Sequence, residues 1–252
     1  MTATSTEITP PDRPLLGRRA LVTGATAGIG AAIATALGRD GAEVLVLGRD
    51  AERGAGIVTS VRDAGGEAEF VQADLGDPER LGELADEVGD VDILVNNAGF
   101  SIWGATPGVG VDDFNAMFAA NVRAPYYLVA AFAPGMAARG RGSIINIGSM
   151  AGTVGLAGGA AYGATKAALA ALTRSWAAEY SASGVRVNTV APGPVYTRPE
   201  ARDLFDTLGA TTAAKRAADP AEIAEFVAFL ASDKASYITG ATLAADGGRT
   251  AN

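Results

Sequence analysis

Thr23-Gly24-Ala25-Thr26-Ala27-Gly28-Ile29-Gly30 decides how this chain is read. The stretch directly follows a short aliphatic run, Arg19 to Thr23, and opens a segment rich in alanine. A strand-to-helix turn with three glycines meets the needs of a bound pyrophosphate. Gly24 permits the tight turn, Gly28 lets the backbone come near the phosphates, and Gly30 lets helix and strand pack closely. The helix start adds free N–H groups and positive potential. Three glycines in a chain with 33 of them also fit an ordinary turn. The strand before and the helix after make this one a candidate dinucleotide site, with Gly24, Thr26, Ala27, Gly28, Ile29 and Gly30 as contacts.

Working outward, similar runs recur at Glu43 to Leu47, Glu67 to Gln72, Val91 to Asn96, Ser143 to Ile147, Arg186 to Val190 and Thr242 to Ala245. Ile93-Leu94-Val95 and Ile144-Ile145 are continuously apolar, the pattern of strands covered on both faces. Helical segments lie between most of them. Asp77-Pro78 and Asp219-Pro220 each put a capping acid before a proline suited to the first helical turn, Glu222 completes a capping-box pattern, and Gly41 and Gly65 suit helix ends. The alternation predicts one α/β domain over residues 15–252, a Rossmann-like doubly wound parallel sheet with helices on both faces. Residues 1–14, rich in Thr, Ser and Pro with neither a basic cluster nor an apolar core, read as a disordered tail and not a signal peptide. Residues 198–218, weakly patterned between a Pro-Gly-Pro turn and a capped helix, read as a mobile flap over a site.

Composition removes several kinds of chemistry. Lys and Arg number 20 against 28 Asp and Glu, and the net charge of −8 disfavours nucleic acid and anionic membranes as partners. No apolar stretch approaches the roughly 20 residues of a membrane span, so a soluble, cytoplasmic protein is expected. The chain has no Cys and no His. Thiolate chemistry, Ser-His-Asp hydrolysis, histidine bases and the usual zinc catalysis are therefore excluded, and no metal site is expected. Proton transfer falls to Tyr, Lys or carboxylates.

Ser149 lies just past the run ending at Ile147, at the carboxyl edge of the expected sheet, where ligands of such folds bind. Tyr162 and Lys166, four apart at the start of an alanine-rich helix, share one face. A lysine ammonium beside a phenol pulls its pKa down from about 10, so that it can exchange a proton near neutrality. A carbonyl that accepts hydride needs such a proton. Alone, Tyr-x-x-x-Lys is equally a half-exposed helical pair, and Ser149 equally a turn or cap; their joint occurrence with the glycine turn favours chemistry. After the second strand, where an acid often grips the ribose 2'-hydroxyl, stands Gly48-Arg49-Asp50. Arg49 can hold a 2'-phosphate and so favours NADP. It is otherwise a solvated arginine beside a capping Asp50, and Ala27 adds no second cation, which leaves NAD open.

From about Leu15 to Gly248 the sequence resembles the short-chain dehydrogenase/reductase family. The residues that carry the likeness are the Thr23–Gly30 turn, Asp74, Asn96-Asn97-Ala98-Gly99, Asn121, Ser149, Tyr162, Lys166, Pro192-Gly193 and Thr197. The resemblance implies hydride transfer between a nicotinamide cofactor and a carbonyl or secondary alcohol. In it Tyr162 is the general acid-base, Lys166 lowers its pKa and binds the nicotinamide ribose, Ser149 holds the substrate oxygen, and Asn121 anchors a relay water. It further implies Asp74 and Leu75 beside the adenine, Asn97, Ala98 and Gly99 along the adenosine ribose region, and Pro192, Gly193, Val195 and Thr197 at the nicotinamide. The sheet order 3-2-1-4-5-6-7 and a homotetramer, or else a homodimer, come from the same source. Read alone, Asn97 and Asn121 also fit caps, and Asp74 the start of a turn.

Phe100, Ile102, Trp103, Met150, Leu156 and Tyr196 fall in loops around the expected pocket, although any one of them also fits core under the flap. No cluster of cations stands ready for a carboxylate or phosphate, so an uncharged, moderately apolar ketone or alcohol is the expected substrate. A 3-oxoacyl-[acyl-carrier-protein] reductase ranks second. An acidic carrier seeks a basic rim, which Arg123, Arg139, Arg141 and Arg174 would have to supply. A non-catalytic dinucleotide-binding regulator is the alternative of another class, and the Asn121, Ser149, Tyr162 and Lys166 set argues against it.

Overall fold

Strands apolar at nearly every position are stable only where both faces are covered, and the computed structural model, which describes residues 13–251 apart from the side chains of Pro78 and Glu79, covers them so. In chain order the elements are β1 (Arg19–Thr23), α1 (Gly28–Arg39), β2 (Glu43–Gly48), α2 (Ala51–Asp63), β3 (Glu67–Gln72), α3 (Pro78–Val88) and β4 (Ile93–Asn96), followed by α4 (Val111–Phe118), α5 (Ala124–Ala138), β5 (Gly142–Ile147), α6 (Ala160–Tyr180), β6 (Val185–Pro192), α7 (Arg202–Gly209), α8 (Pro220–Ala231) and β7 (Thr242–Ala245). The sheet has seven parallel strands in the order β3-β2-β1-β4-β5-β6-β7.

Alternate strand side chains enter two cores. Val22, Val44, Val46, Val95 and Ile145 meet α1, α2 and α8 on one face, while Leu21, Leu45, Leu94, Ile144 and Val187 meet α3, α5 and α6 on the other. Two helix starts follow their sequence signals. Asp50 caps α2 by accepting from Arg53 N at 3.0 Å, and Asp219 and Glu222 close a capping box on α8. β4 begins at Ile93 and not at Val91; just before it, the Asp92 carboxylate accepts from Arg19 N and Arg141 Nε. Of the tail expected over residues 1–14, residues 1–12 lie outside the described residues; Arg13 already joins the domain through a 2.8 Å hydrogen bond to the Gly65 carbonyl.

The weakly patterned stretch 198–218 contains α7, whose apolar residues Leu204, Phe205 and Leu208 share one face. Its base is pinned where Val195 bridges Ala218 and Tyr196 N donates to Ala218 O at 3.0 Å. Among the described residues no helix is long and apolar enough to cross a membrane. Strand order reverses between β1 and β4, so the crevice outside the carboxyl ends of these two strands is where a ligand fits.

Candidate active site

At that crevice the glycine turn is locked from the side. Asn97, just past β4, donates its amide to the carbonyls of Thr23 (2.9 Å) and Gly24 (3.1 Å), while Thr23 Oγ1 accepts from Asn97 N and Ala98 N, both at 3.0 Å. Gly24 has φ +61, the left-handed region, and a Cβ there would meet Ala98 Cα at 2.9 Å. A Cβ on Gly30 would collide with the Gly24 carbonyl and the Asn97 amide. α1 then starts at Gly28 behind Ala27, which offers no side-chain cap, and has no acid in its first turn. Its leading N–H groups and positive end thus face the crevice without an internal anion, the donor set a pyrophosphate fits.

Ser149, just beyond β5, accepts from Ala151 N at 3.1 Å and lines the same cavity as Tyr162 in the first turn of α6. One turn on, Lys166 is buried, with Nζ 2.8 Å from the Ile147 carbonyl and 5.7 Å from the centroid of the Tyr162 ring. Burial pushes the Tyr162 phenol above its ordinary value, and the neighbouring Ser149 hydroxyl pulls it partly back. The expected downward pull from Lys166 is not what this geometry produces: the ammonium lies over the ring and spends a proton on a carbonyl, while the removal of water from the phenol dominates. Burial lowers Lys166 itself to about 8.

Asn121 reaches the site through a π-helical turn, Ala119–Arg123, between α4 and α5. Such a turn widens the helix locally and redirects a side chain. The Asn121 amide accepts from Phe100 N (3.1 Å) and donates to Phe100 O (2.9 Å) and Thr165 Oγ1 (3.0 Å), tying the Ala98–Ser101 loop to α6 beside Lys166.

One cavity of about 1040 Å³ joins these parts. Its walls take in Gly24, Ala27, Gly28, Ile29, Gly30, Asn97, Ala98, Gly99, Ser149, Tyr162, Lys166, Pro192, Gly193, Val195 and Thr197, together with Phe100, Trp103, Met150 and Leu156. Several expected residues fall elsewhere. Thr26 packs over Gly48. Arg49 and Asp74 stand at the neighbouring ends of β2 and β3, 4.0 Å apart and largely exposed, and Leu75 is buried in the core below them. Tyr196 is not part of the wall: its hydroxyl donates to Asp206 at 2.5 Å, and its ring meets Arg202 and Phe205. Ile102 is also outside the wall, its N–H directed to Met117 Sδ.

The sequence offers no cluster of cations at the pocket, and the structure adds two single arginines to its wall, Arg198 and Arg249. Of the four arginines of the basic rim, Arg123 donates to the Gly76 carbonyl, Arg139 pairs with Asp90 and Arg141 with Asp92, while Arg174 is exposed on α6. Sequence reading also missed the wall from α7, Leu204, Phe205 and Leu208, although their spacing was there to find.

Comparison with known proteins follows the geometry. A family model described as Enoyl-(Acyl carrier protein) reductase matches residues 24–250. The cis-4-hydroxycyclohexanecarboxylate dehydrogenase of Sinomonas cyclohexanicum is 42% identical over 247 residues, covering 93% of this chain and 97% of that protein. Among solved structures, a short chain dehydrogenase/reductase family protein is 50% identical with a TM-score of 0.89, covering 95% of this chain and 100% of the other. A Beutenbergia cavernae protein, provisionally identified as an NAD(P) dependent gluconate 5-dehydrogenase with NADP bound at low occupancy, is 39% identical with a TM-score of 0.90 over 96% of this chain and 100% of that one. Sheet order, glycine turn and near full-length likeness agree, and the chain belongs to the short-chain dehydrogenase/reductase family.

Proposed function

We propose that this oxidoreductase interconverts a secondary alcohol and a carbonyl, with Tyr162 as proton donor and acceptor. The observation that carries the reading is that Ser149, Tyr162 and buried Lys166 share the wall of the cavity that also holds the glycine turn. A bound nicotinamide supplies hydride in reduction and accepts it in oxidation. As a carbonyl carbon gains hydride its oxygen gains negative charge, and the Tyr162 hydroxyl delivers the proton there. The Ser149 oxygen already accepts from Ala151 N, so its own proton is left to donate to Tyr162 or to the substrate oxygen. Lys166, with Nζ 5.7 Å from the ring centroid, is the positive charge nearest the phenolate left after transfer and offsets part of its burial cost. Asn121 acts by position, keeping Phe100 and Thr165 around that charge.

Gly24, Ala27, Gly28, Ile29 and Gly30 would hold the pyrophosphate, Asn97, Ala98 and Gly99 the ribose region, and Pro192, Gly193, Val195 and Thr197 the nicotinamide. Arg49, exposed beside Asp74 at the strand ends, would take a 2'-phosphate, which favours NADP over NAD. Arg49→Ala is expected to erase a preference for NADP; an unchanged ratio of the two cofactors' kcat/KM removes Arg49 from the reading.

The decisive test follows reduced-nicotinamide absorbance with a panel of ketones and alcohols. Tyr162→Phe should lower kcat by roughly 10²–10⁴ while cofactor still binds. Cofactor binding with no turnover in either protein would instead mark a regulator. The family model's description favours an acyl-carrier substrate as a second reading. The pairing of Arg139 and Arg141 with Asp90 and Asp92 weighs against a docking rim for an acidic carrier. Turnover of a carrier-bound 3-oxoacyl thioester well above that of its free thioester would reverse the ranking.

A further inference from the structure

The charges on the cavity wall do not balance. Lys166, Arg198 and Arg249 line it, and no Asp or Glu does, in a chain whose net charge is −8. Lys166 is accounted for by the Ile147 carbonyl and the Tyr162 ring. Among the described residues neither arginine side chain has an ion-pair or hydrogen-bond partner. A guanidinium on a cavity wall with no counter-charge has all its donors free for an anion that enters.

The two arginines stand at different corners. Arg198 follows Thr197, and a Cβ on Gly28 would lie 3.3 Å from Thr197 Cβ, so Arg198 belongs to the glycine-turn end where a pyrophosphate supplies the anion. Arg249 comes from another element, the turn Asp246–Thr250 after β7. That turn is wedged between Gly193, whose Cβ would meet Asp246 Cα at 2.8 Å, and the far end of the flap, where Ala214 N donates to Gly247 O at 2.9 Å.

The mount is rigid. Buried Asp246 accepts from the N–H groups of Gly248 (2.9 Å), Arg249 (3.2 Å) and Thr250 (2.9 Å) and from the Thr250 hydroxyl (2.6 Å). Its carboxylate is thereby committed to shaping the turn and is not the counter-ion of the Arg249 side chain. The remaining wall nearby, Leu208 and Thr211 from the flap, brings no charge.

We propose that Arg249 anchors a carboxylate borne by the substrate away from its reacting carbon, so that this chain acts on hydroxy and oxo acids and not on uncharged ketones. One planar guanidinium matches one carboxylate through a two-pronged hydrogen bond, whereas a phosphate dianion would call for further donors that this corner lacks. The apolar walls contributed by Trp103, Met150 and Leu156 then hold the carbon skeleton between the two polar ends. This inference takes the site of hydride transfer as proposed above.

The test uses matched ketones that differ only in charge, 4-oxocyclohexanecarboxylate and 5-oxohexanoate each against its methyl ester. They are assayed with the full chain, Arg249→Met and Arg249→Lys. The parent is expected to favour the acids at least tenfold in kcat/KM, with the difference in KM. Arg249→Met should bring the ratio of acid to ester near unity, Arg249→Lys should restore part of it, and NADPH affinity should follow the parent in both. An ester turned over as well as its acid by the parent, or an NADPH affinity that collapses in Arg249→Met, overturns the proposal; the second result would assign the guanidinium to the cofactor. Where no ketone is turned over, the hydride-transfer reading is what fails. The carboxylate anchor is then judged by thermal shift with the same compounds: stabilisation by the acids alone, lost in Arg249→Met, upholds it, and no shift with any acid sinks it.

Discussion

Lys166 carries a full burial cost that pH can relieve. Its ammonium is buried and its pKa lies at about 8, below the ordinary 10.5. Below about pH 8 both folded and unfolded chains are protonated there, and the folded state bears the whole penalty. Between about 8 and 10.5 the unfolded chain binds more proton, so stability rises with pH across that window, by up to roughly 3 kcal/mol. Urea unfolding of the parent and Lys166→Met from pH 7 to pH 10 checks this: the variant should lack that rise, and parallel curves would refute it. Gly30→Ala tests the turn, since a methyl there meets the Gly24 carbonyl and the Asn97 amide. A loss of about 1–3 kcal/mol in stability is expected, with weaker cofactor binding in a fluorescence titration. Local spacing made the glycine turn, Ser149, Tyr162 and Lys166 legible, because each depends on neighbours a few residues away. Tyr196 was misread because one residue's alternation along an extended segment decides which side a ring takes. Arg249 was invisible, because only tertiary packing brings the turn after β7 to the wall of the same cavity as the glycine turn.

Elements with strong periodicity or caps were readable at close to their true ends, α8 among them through its Asp219–Glu222 box. Asp219→Ala should cost about 1 kcal/mol by thermal or denaturant unfolding, since two backbone N–H groups lose their partners. Two elements were not readable. α7 is only eight residues long and its apolar residues Leu204, Phe205 and Leu208 look into the cavity and not into the core, so its pattern resembles a loop. The π-helical turn at Asn121 leaves no mark in residue type, because it arises from one extra residue accommodated in an otherwise ordinary helix. We expect the segment 198–218 to close over substrate. Leu204→Ser with Leu208→Ser should raise KM about tenfold with little change in melting temperature; unaltered KM would deny the segment that role.

At the scale of the whole molecule, the alternation of strand and helix gave the doubly wound class but not the strand order. Order depends on which face each crossover takes, and the family resemblance supplied it. The acidic balance of −8 favours separation from other macromolecules, yet Phe114, Tyr126 and Tyr127 on α4 and α5 are exposed aromatic surface. Adjacent exposed rings of this kind suit a self-complementary contact between copies. We expect a homotetramer with these helices in one of its interfaces. Sedimentation should give four times the chain mass for the parent and a smaller species for Tyr126→Asp with Tyr127→Asp; a monomeric parent would remove the proposal.

The position of β1 has a consequence during synthesis. Its inner neighbour is not β3, which is made early, but β4, and the register sets Ala20 against Ile93. While the ribosome is still translating α3, one side of an apolar strand stands bare, with its backbone donors and acceptors free to pair with another nascent chain. A pause after β4 is harmless to that edge, whereas a pause just before it prolongs the interval in which polysome neighbours compete for the place.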